Sequence, residues 1–265
     1  MDLARSWKTL RKDGLRASLS RRLRWYSDRI RVNNPVVGRI VELAGNRVRI
    51  DGLVFSVDTP MITRPHKSTL VFGLHEMEER ELVKRWLPPD LPVLEFGGGL
   101  GVVSCLVNRR VKDPTRHIVV EANPAMVPVL RSNRDRNGCK FTIINKAVAY
   151  GRDEVELAVD SEFVGSRVGG ATSTSSVAVR TTTARALLDE AGFDQAALIC
   201  DIEGTEADLV SQEIDTLAHR VRFIMAELHP AVIGDEATER LQESLRSVGF
   251  ALREQIGDCV VYTRA

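Results

Sequence analysis

The stretch Val93-Leu94-Glu95-Phe96-Gly97-Gly98-Gly99-Leu100-Gly101 decides the fold, because a short apolar run leads directly into a glycine-rich turn. A chain that leaves a buried strand and reverses into a helix needs residues that tolerate positive φ. Glycine does so, and it also lets a ligand approach the backbone closely. Apolar residues over 102–109 predict the helix, whose N-terminus offers free N–H groups. The stretch therefore predicts a strand, a ligand-binding turn and a helix.

The same rhythm of short apolar runs and amphipathic segments continues along the chain. Further strands are predicted at 117–120, 141–145, 198–200 and 223–226, and helices at 124–137, 205–219 and 235–248. Two added strands are predicted at 155–159 and 177–180. Alternating β and α elements indicate an α/β fold, a doubly wound parallel sheet of Rossmann-like type with helices on both faces. The stretch 165–176, rich in Gly, Ser and Thr, predicts a surface loop and a candidate lid.

Upstream of the glycine turn the pattern changes twice. Residues 1–35 are predicted to be a basic amphipathic helical extension, because apolar residues recur there at helical spacing, and Asn33-Asn34-Pro35 is expected to break that helix. Residues 36–58 predict a small antiparallel β meander, 60–69 a loop, and 73–86 a lead-in helix. We therefore divide the chain into 1–35, 36–88 and a ligand-binding domain over 89–265, with the first two as a helical and β-hairpin extension.

Composition and charge narrow the class of protein. The chain has 265 residues, of which 43% are hydrophobic and 28% charged, as in globular proteins. No CxxC spacing, signal-peptide pattern or apolar run of roughly 18 residues occurs, so we expect a cytoplasmic protein with reduced cysteines. Residues 1–31 hold ten Lys/Arg against three acids, a net +7, so the remainder carries −6. The acidic body argues against a wide nucleic-acid surface.

The basic segment 1–31 leaves several interpretations open. It fits a helix packed on the main domain with a solvated face. It also fits a peripheral contact with an anionic membrane, a nucleic acid or an acidic partner. The sequence does not predict the oligomeric state.

The glycine turn departs from the dinucleotide-binding pattern G-x-G-x-x-G/A. The third glycine position is Val102 when counted from Gly97, and Ser104 when counted from Gly99. No phosphate-binding lysine follows the turn. The carboxylate of Glu95 before the glycines suits a cation rather than a polyphosphate.

An acid at the end of the next strand, Glu121, can accept both hydroxyls of a ribose. S-adenosylmethionine combines a nucleoside with an ammonium and a sulfonium group. It therefore matches both the ribose-binding acid and the acid that leads the turn. We predict that Glu95, Gly97, Gly99 and Glu121 hold this cofactor.

Motifs spread over residues 45–262 resemble the FkbM family of class I S-adenosylmethionine methyltransferases. They are Lys67-Ser68, Gly73-Leu74-His75-Glu76-x-x-Glu79, Glu95–Gly101, Glu121-Ala122-Asn123-Pro124, Asn133, Asn137-Gly138, Asp201-Ile202-Glu203-Gly204-Thr205-Glu206 and Glu227-Leu228-His229. The resemblance implies a Rossmann-like class I methyltransferase sheet. With the glycine turn, it implies a cofactor set of Glu76, Glu95, Phe96, Gly97, Gly99, Gly101, Glu121, Ala122, Asn123, Ala147 and Asp201. Two departures stand out: the family has Asp where this chain has Glu95, and a Thr-Leu-Asp where it has Thr183-Ala184-Arg185.

Four candidate catalytic residues follow two predicted strands. Asp201 and Glu203 come after 198–200, and Glu227 and His229 after 223–226, so all four should line one cleft at the carboxyl ends of the strands. Methyl transfer to a hydroxyl needs alignment, exclusion of water and removal of a proton. His229, with an ordinary pKa near 6.5, is the natural candidate base. Asp201 could orient the acceptor, act as the base or contact the methionine ammonium.

Other roles for this acidic stretch stay open. Glu203 and Glu206 could instead charge the first turn of a helix. The acids and His229 could hold Mg²⁺, but no spacing fixes such a site, and we assign no metal ligand.

Two motifs that the sequence lacks limit the chemical class of the methyl acceptor. The chain has neither the Asn/Asp-Pro-Pro-aromatic stretch of nucleic-acid amino methylation nor a Pro-Cys nucleophile, which favours an oxygen acceptor. The resemblance implies hydroxyls of sugars, glycolipids or natural products. Two other hypotheses remain: an RNA-modifying or nucleic-acid-binding protein that uses 1–31, and a non-catalytic cofactor-binding scaffold.

Overall fold

A computed structural model describes residues 33–158, 167–168 and 176–264. Its elements follow one another as α1 (Pro35–Leu43), β1 (Arg47–Ile50), β2 (Leu53–Ser56), α2 (Arg64–Val71), α3 (Met77–Trp86), β3 (Val93–Phe96), α4 (Val102–Arg110), β4 (His117–Val120), α5 (Val127–Arg136), β5 (Thr142–Ile144), β6 (Ala147–Val148), β7 (Glu154–Ala158), β8 (Arg167–Val168), β9 (Ser176–Thr182), α6 (Ala184–Ala191), β10 (Ala196–Cys200), α7 (Glu206–Arg220), β11 (Val221–Glu227), α8 (Pro230–Ile233), α9 (Asp235–Ser247), β12 (Ala251–Ile256) and β13 (Cys259–Thr263).

Seven strands form the central sheet in the order β12-β13-β11-β10-β3-β4-β5. The five strands β11, β10, β3, β4 and β5 are parallel, and β13 runs antiparallel to both β11 and β12. The expected α/β class and Rossmann-like order are confirmed, but the expectation of a wholly parallel sheet is wrong. Only two residues separate β12 from β13, and so short a link permits a hairpin but no parallel crossover.

Both faces of the sheet are buried, as a doubly wound fold requires. Successive residues of β10 alternate between two apolar clusters, with Ile199 in one and Leu198 and Cys200 in the other. Helices α3, α4 and α5 contribute to the first cluster. Helices α6, α7 and α9 contribute to the second. The helices therefore lie on both faces, as predicted.

Strand β3 is the point at which the strand order reverses, because β4 lies on one side of it and β10 on the other. The helices that follow β3 and β10 leave toward opposite faces. A crevice is therefore expected between them at the carboxyl ends of the strands, where ligands bind in open α/β sheets.

The region before the sheet differs from the predicted meander and loop. Residues 35–43 form helix α1 because Asn34 caps it, with its Oδ1 accepting a hydrogen bond from Val36 N at 2.9 Å. Pro35 occupies the first turn, where its missing N–H is harmless. Only the β1–β2 hairpin of the meander is present. Residues 64–71, expected to be a loop, form α2, with Pro65 in its first turn.

Two predictions fall mostly or wholly outside the described residues. The basic segment 1–31 is one of them. The other is the candidate lid 165–176, of which only β8 and Ser176 are described. The added strands are confirmed, since β7 and β9 pair antiparallel beside β6 and β8. Among the described helices, none is both long and apolar enough to cross a bilayer.

Candidate active site

A cavity of about 400 Å³ opens at the carboxyl ends of the parallel strands, between β4 and β11. Its volume falls within the roughly 300–1,000 Å³ typical of small-molecule sites. Its lining is strongly acidic. The lining carboxylates are Glu76, Glu78, Glu79, Glu121, Asp201, Glu203 and Glu227. Lys146 is the one lysine among the described lining residues, beside His75 and His229. This charge favours a cationic ligand.

The glycine turn is wedged between two neighbouring strands. Gly97 N donates to Val120 O at 3.0 Å, and Asp201 N donates to Phe96 O at 2.9 Å. Gly97 has φ +93°, and a Cβ there would lie 1.9 Å from the carbonyl oxygen of Asp201. Only glycine fits this position, because both the backbone conformation and the space exclude a side chain.

Glu121 ties the glycine turn to the end of β4. Its Oε2 accepts hydrogen bonds from Gly98 N at 3.1 Å and Gly99 N at 2.7 Å, and its Oε1 accepts one from Asn123 N at 2.7 Å. Burial raises the pKa of Glu121, although these three N–H donors act to lower it. Gly97, Gly99, Glu121, Ala122, Asn123 and Ala147 all line the cavity, as expected for the nucleoside half of a cofactor site.

The structure does not place Glu95 in the cavity, which corrects the expectation that its carboxylate faces a cation there. Glu95 is buried, with Oε2 2.9 Å from His117 Nε2, and its Oε1 accepts a hydrogen bond from Ser104 Oγ on α4. The reason is strand geometry. Side chains inside a strand point to the faces of the sheet, whereas the cavity lies at the end of the strand.

Two more of the expected cofactor residues also lie outside the lining. Phe96 is fully buried in the core, and its carbonyl oxygen accepts the hydrogen bond from Asp201 N at the end of β10. Gly101 starts α4 at φ +81°, and a Cβ there would approach Leu130 Cδ1 to 2.7 Å. Their roles are thus structural: Phe96 anchors the strand, and Gly101 permits the close approach of α5.

Glu76 supplies a carboxylate beside the glycine turn from outside the sheet. It precedes α3 in a left-handed conformation with φ +50°. Its Oε2 accepts a hydrogen bond from Val103 N at 3.3 Å, and its Oε1 lies 3.0 Å from His75 Nε2. Burial acts to raise the pKa of Glu76, but the charge and hydrogen bond of His75 outweigh it, so the pKa is lowered. An ionised acid therefore stands at the start of α4.

Two of the expected catalytic residues, Asp201 and Glu203, lie beside a third, His229. Its Nε2 lies 3.5 Å from Asp201 Oδ1 and 3.7 Å from Glu203 Oε2, and its Nδ1 lies 3.0 Å from Glu206 Oε1. The fourth, Glu227, lines the same cavity. Glu206 is buried and also accepts hydrogen bonds from the backbone N–H groups of the loop 202–204. It therefore holds both the loop that carries Asp201 and the imidazole.

His229 does not have the ordinary pKa that made it a candidate base. Burial acts to lower its pKa, but the hydrogen bond to Glu206 and the charges of Glu206, Asp201 and Glu203 raise it to about 9. At neutral pH the ring is an imidazolium and donates hydrogen bonds. This pKa disfavours His229 as the base at neutral pH. Nothing in the sequence indicated that Glu206 would contact the imidazole ring.

We expect Glu206→Gln to lower the pKa of His229 toward its ordinary value near 6.5, because the neutral amide removes the main stabilising charge. An NMR titration of the histidine ring carbons measures this pKa. Asp208→Asn, an exposed acid on the same helix, is the matched control and should leave it unchanged. A pKa that stays near 9 in Glu206→Gln would contradict the assignment of Glu206.

A second acidic pair, Glu79 and Glu227, was only partly predicted. Glu79 is buried on α3, and its pKa is raised to about 9 by burial and by the charges of Glu76 and Glu227. The two carboxyl groups share a hydrogen bond, so Glu79 keeps its proton and donates it to Glu227. Burial also raises the pKa of Glu227. In the sequence Glu79 appeared only as part of the motif over 73–79, whereas Glu227 was already a candidate catalytic residue.

Replacing Glu79 with glutamine should stabilise the protein above pH 5. Because the folded pKa exceeds the unfolded one, the stability linked to Glu79 is complete below the unfolded pKa and is lost as pH rises toward 9. Glutamine carries no such dependence. The free energy of unfolding of Glu79→Gln, minus that of the wild type, should therefore grow by roughly 4 to 5 kcal/mol between pH 4 and pH 8. Urea unfolding at both pH values measures it, and a constant difference would contradict it.

Two groups of side chains in this region could hold a cation. Their ligand atoms lie within 4.8 Å of one another in each case. The groups are Asp201, Glu203 and His229, and Glu79, Glu227 and Cys259. In each group a metal would have to displace a proton, from His229 or from Glu79, before it could bind. The geometry assigns no metal.

Comparison with known proteins gives distant structural similarities. No family model matches the sequence, and no curated protein matches it. Similar structures include a precorrin-6y C5,15-methyltransferase from Geobacter metallireducens GS-15, 14% identical with TM-score 0.43 over 72% of this chain and 88% of that chain. Fibrillarin from Aeropyrum pernix, in complex with S-adenosyl-L-methionine, is 11% identical. The match has a TM-score of 0.42 and covers 70% of this chain and 73% of fibrillarin. An rRNA methylase from Streptococcus thermophilus is 10% identical. The match has a TM-score of 0.42 and covers 70% of this chain and 93% of the methylase.

Similarity at this level assigns neither activity nor substrate. The fold rests on the strand order and directions, which match the Rossmann-like class I methyltransferase sheet that was predicted. Membership of the FkbM family stays a prediction.

Proposed function

We propose that the protein is an S-adenosylmethionine-dependent methyltransferase. One observation carries the proposal: the cavity at the switch point of the sheet joins a ribose-type acid, Glu121, to a concentration of carboxylates. S-adenosylmethionine carries a nucleoside at one end and two positive groups at the other. Its shape and charge fit this lining.

The lining divides naturally between the two halves of the cofactor. Glu121 would bind the ribose hydroxyls, and Ala122, Asn123 and Ala147 would border the base. Gly97 and Gly99 would present backbone to the ligand. The ammonium would face Glu76 and Asp201, so Glu76 takes the role first expected of Glu95. The Oδ1 atom of Asp201 is buried, and its contact with His229 Nε2 at 3.5 Å is too long for a good hydrogen bond, which leaves the atom able to accept one from a ligand.

Proton removal from the acceptor falls to Asp201 in this proposal. Burial and the charges of Glu227 and Glu203 raise the pKa of Asp201 well above its usual range, which makes its ionised form a stronger base. The cofactor supplies an electrophilic methyl group. A bound cation beside Asp201 favours the ionised carboxylate, and the His229 imidazolium at 3.5 Å holds its orientation.

The proposed acceptor is a hydroxyl of a sugar, glycolipid or natural product. Glu203, Glu227 and Asp201 are hydrogen-bond acceptors suited to a polyhydroxylated ligand. Nucleic acid is disfavoured, because phosphates would meet several carboxylates at the cavity. Membership of the FkbM family agrees with this acceptor class and is part of the proposal.

Transfer of a tritiated methyl group from S-adenosylmethionine to panels of acceptors tests the function. We expect label in polyhydroxylated compounds, released by conditions that cleave methyl ethers. Label only in RNA would overturn the acceptor class. Absence of transfer, together with absence of cofactor binding, would overturn the proposal as a whole.

A further inference from the structure

Helix α1 presents an apolar stripe that the described part of the chain leaves uncovered. Val36, Ile40 and Leu43 are 65%, 60% and 82% exposed. Their spacing of four and three residues places them on one side of the helix. The opposite side, with Gly38 and Val41, is buried against the rest of the protein. The stripe is thus an outward face rather than a core element.

Further apolar residues are exposed in the segment 71–77, from the end of α2 to the start of α3. Val71, Phe72, Leu74 and Met77 are between 38% and 52% exposed. Single exposed apolar residues are ordinary, but several on one side of a helix mark an interaction surface. We call the three residues of the stripe on α1 the apolar face: Val36, Ile40 and Leu43.

Exposed arginines occur on α1 and on the strand that follows it, in contrast to the acidic cavity. Arg39 on α1 and Arg47 and Arg49 on the adjoining strand β1 are exposed. The chain enters α1 directly from residues 1–31, whose net charge is +7. Anionic lipid headgroups attract such residues, and the acyl boundary accepts the aliphatic side chains. RNA would use the cations alone and leave the aliphatic side chains without a partner.

We propose that the apolar face docks on an anionic phospholipid bilayer. Its side chains enter the boundary between headgroups and acyl chains, and residues 1–31 add electrostatic attraction. This proposal concerns binding alone and does not depend on the proposed methyl transfer.

Co-sedimentation of the full chain with vesicles tests it. One set contains phosphatidylcholine, and the other contains phosphatidylcholine with phosphatidylglycerol. We expect binding to the second set, and a loss of about tenfold or more in Ile40→Glu/Leu43→Glu. Leu252→Glu is the matched control, since Leu252 is exposed on the edge strand β12, and it should bind within about twofold of the wild type. Leu43→Glu alone is the second variant if the double variant fails to fold.

Three results would overturn the proposal. The first is a wild type that does not prefer vesicles containing phosphatidylglycerol. The second is a folded Ile40→Glu/Leu43→Glu variant that binds as the wild type does. The third is a dimer in sedimentation equilibrium, or an RNA complex in a gel shift, that the same double variant abolishes while vesicle binding persists.

Discussion

Replacing Gly97 with alanine is expected to abolish S-adenosylmethionine binding and to lower the free energy of unfolding by about 3 kcal/mol or more. Two effects add. An alanine at φ +93° is strained, and its Cβ would lie 1.9 Å from the backbone oxygen of Asp201. A backbone oxygen cannot rotate away as a flexible side chain could, so β10 must separate from the glycine turn. That separation would also displace Asp201, which we place at the methyl acceptor.

Gly192→Ala separates the two effects. Gly192 ends α6 with φ +63°, and a Cβ there would meet nothing within 4 Å. The Gly192→Ala variant should lose only about 1 kcal/mol of its free energy of unfolding, because the only cost is the strain of alanine in the left-handed conformation. Urea unfolding and calorimetric titration with S-adenosylmethionine measure both variants. Equal losses of stability in the two variants, with binding retained in Gly97→Ala, would contradict the tight contact.

Asp201→Asn should lower the rate of methyl transfer about 10³-fold while binding of S-adenosylmethionine weakens no more than about tenfold. The amide keeps the volume of the side chain but cannot accept the proton of the acceptor. Stability should not fall, because the ionised form of Asp201 is disfavoured by burial and by Glu227 and Glu203. Single-turnover kinetics and calorimetry give the two quantities separately.

The control for this variant is Asp208→Asn, an exposed acid outside the cavity, whose rate should equal that of the wild type. An unchanged rate in Asp201→Asn would exclude Asp201 as the base. Equal losses of binding and of rate would instead show that Asp201 acts only by holding the cofactor and that another group takes the proton.

Residues at strand ends were predictable from the sequence. Short apolar runs located β3, β4, β10 and β11, and the carboxyl ends of parallel strands meet at one edge. Glu121, Asp201 and Glu227 therefore reach the cavity whatever the details of packing. Their positions depend on the periodicity of the backbone, which a sequence pattern carries.

Residues whose role depends on a particular neighbour were not predictable. Glu95 turns to His117 inside the sheet, and nothing in the turn motif indicates that contact. The raised pKa of His229 depends on Glu206, and that of Glu79 on a helix docked from outside the sheet. The pair Asn34-Pro35 is typical both of the residues that follow a helix and of the residues that begin one. In the structure Asn34 caps α1, so the pair begins a helix.

The central claim is that the acidic cavity binds S-adenosylmethionine through the end of β4, and isothermal titration of the full chain tests it most directly. We predict saturable binding with a dissociation constant between roughly 1 µM and 1 mM, and at least tenfold weaker binding in the isosteric variant Glu121→Gln. Absence of binding to the wild type, or equal binding by Glu121→Gln, would contradict the account.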